Sequence, residues 1–144
     1  MNIEIGFEKF SKNANIPTKG SEEAACYDLY SSQYNLILPG QRKLIETDLS
    51  LNFPKGTYGQ IFSRSSVSLN NYVDVVGGII DSDYTGPIKI ILHNNHSTES
   101  FVVNIGDRIA QIGFFDIPKQ VTFNESINRR ETKRGNSGFG SSGK

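Results

Sequence analysis

The stretch LIETDLSLNF, residues 44–53, alternates between side chains suited to a protein core and side chains suited to solvent. The positions suited to the core are Ile45, Thr47, Leu49, Leu51 and Phe53. A period of two over a short run is typical of a strand with one buried and one exposed face. The stretch therefore predicts a half-buried β-strand.

The same alternation recurs along the chain in YNLILPG (34–40), PIKIILHN (87–94) and FVVNI (101–105). Pro, Gly and Asn bound these runs and mark turns. A short helix is expected near SSVSLNN, residues 65–71. Many short strands without a long helical period predict an all-β domain, either a sandwich, a jelly roll or a closed barrel. We expect a β-domain over residues 1–124 and a flexible Gly-rich C-terminal arm over 125–144.

The composition excludes several classes of function. The 144 residues carry 15 Lys plus Arg and 15 Asp plus Glu, which does not favour general binding to nucleic acid or membranes. A single cysteine, Cys26, excludes an intrachain disulfide and a cysteine-based zinc site. The N-terminal sequence has no apolar run of the kind found in targeting segments. No stretch approaches the roughly 18 apolar residues of a membrane span.

Candidate catalytic residues lie in GGIIDSDYTG, residues 77–86. One strand should end near Ile80 and another should begin near Pro87, which predicts a hairpin. Glycines before the turn allow a flat ligand to approach the backbone closely. One of the two aspartates could act as a general base, with Tyr84 as a stacking platform. The alternative is an ordinary polar turn, since aspartates are common in turns.

Candidate phosphate-binding residues lie in FSRSSVSL, residues 62–69. Arg64 can bind phosphate oxygens with two donors, and Ser65 and Ser66 add hydroxyls where a helix could begin. The alternative is N-capping of that helix by serine beside a surface arginine.

Two further segments carry polar side chains in strand-like runs. In AACYDLYSS, residues 24–32, Asp28 has apolar and aromatic neighbours, and an inward-facing carboxylate needs a partner. It could belong to an ion pair or bind a metal ion through water. In NIGDRIAQIGF, residues 104–114, a turn at Gly106 and Asp107 precedes a strand that carries Arg108 and Gln111.

The C-terminal KRGNSGFGSSGK, residues 133–144, matches the opening of a phosphate-binding P-loop. That interpretation fails, because no Ser or Thr and no helix follows the final lysine in this sequence. Gly and Ser are typical of a disordered tail. However, Phe139 lies alone among them, and basic residues outnumber acidic ones over 129–144. These features suit an arm that closes over an anionic ligand with a ring.

Taken together and in order, these segments resemble the trimeric dUTPase family along essentially the whole chain. AACYDLYSS resembles its first motif, FSRSSVSL the second, GGIIDSDYTG the third, GDRIAQIGF the fourth and RGNSGFGSSGK the fifth. The resemblance implies a jelly-roll (β-clip) protomer and a homotrimer with shared active sites. It also implies hydrolysis of dUTP to dUMP and pyrophosphate, which limits uracil incorporation into DNA and supplies dUMP for thymidylate synthesis.

The resemblance also implies roles for individual residues. Asp81 would activate the attacking water, and Tyr84 would pack on the deoxyribose. The backbone of Gly78, Ile79 and Ile80, with Lys89, would read uracil. The implied phosphate-binding residues are Arg64, Ser65, Ser66 and Gln111, the last near the α-phosphate. Asp28 would hold water on a Mg²⁺ ion bound mainly by the triphosphate. In the arm, Phe139 would stack on uracil, while Arg134, Gly140 and Ser141 would close over the phosphates.

The second motif departs from the family's usual Pro-Arg-Ser-Gly, because Ser63 replaces the proline and Ser66 the glycine. Loss of the proline is expected to loosen this turn. Three other functions remain open: a dCTP deaminase of the same fold, a non-catalytic dUTPase-like binding protein, and a structural jelly-roll protein. A deaminase usually carries a Glu in the third motif, and none occurs there. We expect a cytoplasmic or nuclear location if the source is eukaryotic or viral.

Overall fold

A computed structural model of the chain describes residues 2–125 and 130–141. Parts of the predicted arm, residues 126–129 and 142–144, lie outside the described residues. The described chain is built of strands and one seven-residue helix, α1 (Ser65–Asn71), so the all-β prediction and the predicted helix are confirmed. The strands are β1 (Gly6–Lys9), β2 (Tyr27–Tyr30), β3 (Asn35–Ile37), β4 (Arg42–Glu46), β5 (Leu49–Asn52), β6 (Thr57–Phe62), β7 (Val73–Val76), β8 (Ile79–Ile80), β9 (Lys89–Asn94), β10 (Phe101–Val103) and β11 (Arg108–Asp116).

The strands pair antiparallel in four small sheets, in the orders β1-β5, β10-β3, β2-β11-β6-β8 and β4-β9-β7. Most neighbours in a sheet are distant in sequence, so the connections cross between sheets. The inward faces meet in one apolar core, in which Ile45, Ile88, Ile90 and Ile112 are fully buried. No described helix has the length and apolarity needed for a membrane crossing.

The alternation over residues 44–53 is confirmed, but the prediction of one continuous strand is wrong. All five alternating positions are buried, yet β4 ends at Glu46 and β5 begins at Leu49. Between them Asp48 has a φ of 51°, and the two strands join different sheets. The buried Thr47 hydroxyl donates to the Ile88 carbonyl at 2.6 Å. The bend at Asp48 keeps the alternating positions buried, so the period-two pattern of the sequence does not reveal it.

The hairpin predicted between residues 77 and 86 is also wrong. β8 pairs with β6, whereas β9 pairs with β4 and β7, so β8 and β9 belong to different sheets. Gly77 and Gly78, with φ of 73° and 111°, turn the chain away from the β7–β9 ladder and into β8. The segment from Asp81 to Ile88 therefore crosses from one sheet to the other.

Candidate active site

A cavity of about 190 Å³ is lined by the end of β8, the crossing segment and the start of β9. Its lining residues are Ile79, Ile80, Asp81, Tyr84 and Lys89. These residues were all predicted to serve one site, and the fold brings them together. The volume is below the roughly 300–1,000 Å³ of sites that enclose a whole drug-sized ligand. The cavity therefore suits part of a larger ligand.

The turn from Asp81 to Tyr84 fixes the tyrosine ring. The Tyr84 backbone N–H donates to the Asp81 carbonyl at 3.1 Å, and the Tyr84 hydroxyl donates to the Pro87 carbonyl at 2.8 Å. Gly86 leaves room for that hydroxyl, because a Cβ at this position would lie 2.7 Å from it. Both ends of Tyr84 are thus held while its ring faces the cavity.

Gly78 brings the cavity wall against β6. Its carbonyl accepts the Ile61 N–H at 2.8 Å, and a Cβ would lie 2.6 Å from the Ile61 carbonyl oxygen. Glycine is thus required at position 78 because the backbone lies close to β6.

Lys89 has a partner that the sequence did not reveal. Glu46 lies opposite Lys89 in the β4–β9 register, and the Lys89 ammonium is 3.4 Å from its carboxylate. Both side chains are partly exposed, so the pair contributes little to stability. It orients the ammonium at the edge of the cavity.

A second group of polar side chains surrounds Asp28, whose side chain is 12% exposed. The Arg64 Nε lies 3.2 Å from one carboxylate oxygen, and the Arg108 Nη1 lies 3.6 Å from the other. Arg64 also donates through Nη1 to the Arg108 carbonyl at 2.9 Å. The predicted need of Asp28 for a partner is confirmed, and Arg108 is a second partner that the sequence did not predict.

Gln111 lies opposite Asp28 in the β2–β11 register, which places it beside the same group. Its side-chain Nε2 donates to the Ser63 carbonyl at 2.9 Å. Gln111 is thereby held next to Arg64.

Helix α1 begins directly beyond this group. Its N-cap residue is Arg64, with φ of −83° and ψ of 133°, and no side chain in the described chain caps the helix. The alternative of N-capping by serine is therefore wrong. Ser65 and Ser66 occupy the first helical positions and are exposed.

Among the described residues, the arm over 130–141 forms hydrogen bonds only within itself. Arg134 donates through Nε to the Ser137 carbonyl at 2.9 Å, and the Gly138 N–H donates to the Ser141 hydroxyl at 2.7 Å. Phe139 is fully exposed, with a φ of 52°, and Gly140 has a φ of 85°. The arm residues predicted for the site are thus presented to solvent.

The described chain therefore presents three groups of candidate site residues: the cavity around Asp81, the cluster around Asp28 and the arm. A comparison with protein families shows which family has this sequence. The model of the dUTPase family matches residues 12–143.

The chain belongs to the dUTPase family.

Similar proteins span nearly the same length. The deoxyuridine 5'-triphosphate nucleotidohydrolase of Yaba monkey tumor virus is 46% identical over 136 residues, which cover 94% of each chain. The enzyme of the same name from Yarrowia lipolytica is 41% identical over 144 residues, covering 99% of this chain and 90% of the relative. The resemblance to dUTPases is thereby confirmed.

A solved structure of the Staphylococcus bacteriophage 80alpha dUTPase with dUpNHpp matches this fold with a TM-score of 0.87. The two sequences are 27% identical, and the match covers 97% of this chain and 98% of the phage chain. The predicted single dUTPase-like jelly-roll domain is confirmed, whereas the boundary at residue 124 stays a prediction.

Within residues 2–125 and 130–141, no three or more His, Cys, Asp or Glu side chains are grouped to hold a metal ion. Mg²⁺ commonly keeps several waters and is held by substrate phosphates with one or two carboxylates. Asp28 fits a water-mediated role, because each oxygen of an ionised carboxylate retains a second acceptor position beside its arginine.

Proposed function

We propose that this member of the dUTPase family hydrolyses dUTP to dUMP and pyrophosphate. The observation that carries the proposal is the cavity in which Asp81, Tyr84 and Lys89 meet, in a chain that matches dUTPases along almost its whole length. As a dUTP diphosphatase, it would limit uracil incorporation into DNA and supply dUMP for thymidylate synthesis.

Within the cavity, Asp81 takes a proton from the attacking water. Hydrolysis at a phosphorus atom requires such a base and donors for the developing charge. Tyr84 packs on the deoxyribose, and the bond from its hydroxyl to the Pro87 carbonyl holds the ring in place for that contact. The backbone from Gly78 to Ile80, with Lys89, recognises the uracil edge.

The cluster around Asp28 binds the triphosphate. Arg64 supplies a guanidinium, Ser65 and Ser66 supply hydroxyls, and Gln111 lies near the α-phosphate. Asp28 would hold a Mg²⁺ ion through water, and that ion would neutralise charge on the phosphate oxygens. Asp28 also keeps Arg64 in place through their 3.2 Å ion pair.

The arm acts as a lid over the bound nucleotide. Phe139 stacks on uracil, and Arg134, Gly140 and Ser141 close over the phosphates. The internal bonding of the arm supports this role, because the arm makes no hydrogen bond with the body that closure would have to break, as far as residues 130–141 show. Closure would exclude water from the reacting phosphate.

The active form is a homotrimer whose sites combine residues from different chains. The arm supports this arrangement, because residues 130–141 make no hydrogen bond with the described body and leave Phe139 fully exposed. Cytoplasm or nucleus is the proposed location, since the relatives come from poxviruses and yeasts.

The function is tested by supplying dUTP, dCTP, dTTP and UTP side by side and measuring pyrophosphate release. We expect release from dUTP far above that from the other three. Conversion of dCTP to dUTP would instead indicate a deaminase. Binding of dUTP without turnover would indicate a non-catalytic binding protein.

Tyr84→Ala is expected to narrow the preference for dUTP over UTP. The ring fills the space that a ribose 2′-hydroxyl would occupy, so its removal admits the ribonucleotide. The measurement is kcat/KM for both nucleotides, with Tyr84→Phe as the control that keeps the ring and removes the bond to Pro87. An equal loss for both nucleotides would show that Tyr84 only packs the site.

Mixing two inactive variants is expected to restore activity if sites are shared between chains. One variant carries Asp81→Asn, and the other lacks residues 135–144. In randomly mixed trimers, about a quarter of sites would combine an intact Asp81 with an intact arm from another chain. Co-expressed variants are assayed beside each variant alone, with sedimentation to verify the trimer. Sedimentation as a monomer, or no recovery in a mixed trimer, would contradict the shared site.

A further inference from the structure

The segment that carries Arg64, Ser65 and Ser66 is attached to β7 at both of its ends. At the first end the Val75 backbone N–H donates to the Ser63 hydroxyl at 2.9 Å. At the second end the Ser68 hydroxyl donates to the Asp74 carboxylate at 2.5 Å. Two adjacent residues of one strand thus hold two serines that flank the proposed phosphate-binding residues.

β7 is suited to this attachment because it lies at the edge of its sheet, in the order β4-β9-β7. The Val75 N–H points away from β9, and the Ser63 hydroxyl accepts it in place of a neighbouring strand. The other Asp74 oxygen accepts from the Asn95 side chain at 3.0 Å, so the carboxylate is itself fixed in orientation. Both Ser63 and Ser68 are half-buried, which strengthens the need for these partners.

Ser63 also reaches the opposite side of the site. Its carbonyl accepts the Gln111 side chain at 2.9 Å, and the next residue, Arg64, is paired with Asp28. A shift of Ser63 would therefore move Arg64 and Gln111 together.

We propose that Ser63 and Ser68 are positioning residues that clamp the segment 64–66 to β7 and so set the geometry for phosphate binding. The proposal rests on the phosphate-binding role given to this segment above. It also changes the expected effect of serine at position 63. The hydroxyl bond to Val75 replaces the restraint that a proline would supply at this turn, so the turn is held rather than loosened.

The test uses two competitive inhibitors that occupy different parts of the site. Pyrophosphate, in the presence of magnesium, probes the phosphate side, and deoxyuridine probes the cavity. Ser63→Ala and Ser68→Ala are each expected to raise the Ki for pyrophosphate about threefold to tenfold, and the double variant more. The Ki for deoxyuridine should stay within about twofold. A Ki does not depend on the amount of active enzyme. Partial unfolding alone would therefore not raise the Ki for pyrophosphate while leaving the Ki for deoxyuridine unchanged.

Ser63→Thr and Ser68→Thr are the matched controls, since each keeps a hydroxyl and should retain a Ki close to that of the unaltered chain. Arg64→Ala distinguishes failure of the phosphate-binding assignment from failure of the positioning role given to Ser63 and Ser68. If Arg64→Ala leaves the Ki for pyrophosphate unchanged, the phosphate-binding assignment itself is wrong. If Arg64→Ala raises it while the double serine variant does not, the assignment stands and the clamp is refuted. An equal rise for pyrophosphate and deoxyuridine would also refute the clamp.

Discussion

Asp81→Asn is expected to lower kcat for dUTP by about a hundredfold or more, with the fold and dUTP affinity retained. Asparagine has the shape of aspartate, so the cavity lined by Ile80, Tyr84 and Lys89 should keep its form. The amide cannot accept a proton from the attacking water, however. The loss should therefore appear in turnover and leave ground-state binding unchanged.

The measurement is kcat by pyrophosphate release, together with equilibrium binding of a non-hydrolysable dUTP analogue. Asp83→Asn is the matched control, because Asp83 is exposed on the same turn and is not among the residues that line the cavity. Near-full turnover of Asp81→Asn combined with an inactive Asp83→Asn would move the role of base to Asp83.

Removal of residues 135–144 is expected to abolish most dUTP hydrolysis while the β-domain unfolds at nearly the same temperature as the intact chain. Residues 135–141 contribute no strand and no described hydrogen bond to the domain, and Phe139 is fully exposed. Ordering a Gly-rich backbone costs about 1–2 kcal/mol per residue, which a bound ligand must offset. Without the lid, water reaches the reacting phosphate, and the phosphates lose their contacts with Arg134, Gly140 and Ser141.

The measurements are thermal unfolding, dUTP turnover, and amide hydrogen exchange of residues 135–141 with and without dUpNHpp. Phe139→Ala should have intermediate activity. Phe139→Trp should stay active and report closure by fluorescence. Exchange that is equally fast in both states, together with full activity of the truncated chain, would show that this segment has no part in catalysis.

Alternation predicted the buried side chains of some strands but not of others. It failed in YNLILPG, where Ile37 is buried and the alternating Tyr34, Leu36 and Leu38 are exposed. Alternation identified the buried positions of residues 44–53, yet the bend at Asp48 was missed because both strands keep the same face inward. The hairpin at 77–86 failed for a related reason. Two positive-φ glycines can tighten a turn or redirect a chain to another sheet, and the local sequence does not distinguish these outcomes.

The candidate site shows the same limit. The need of Asp28 for a partner follows from its apolar surroundings, but its pairing with Arg64 and Arg108 depends on which strands become neighbours. The Glu46–Lys89 pair depends on strand register in the same way. Long-range contacts of this kind have no signature in the sequence around either residue.

We propose that water activated by Asp81 attacks dUTP at the α-phosphorus. Hydrolysis in water enriched in oxygen-18 tests this attack most directly. Mass spectrometry of the products from the unaltered chain should place one labelled oxygen in dUMP and none in pyrophosphate, and Asp81→Asn should form almost no labelled product. Label in pyrophosphate with unlabelled dUMP would contradict attack at the α-phosphorus. Labelled dUMP formed by Asp81→Asn at the rate of the unaltered chain would contradict the role of Asp81.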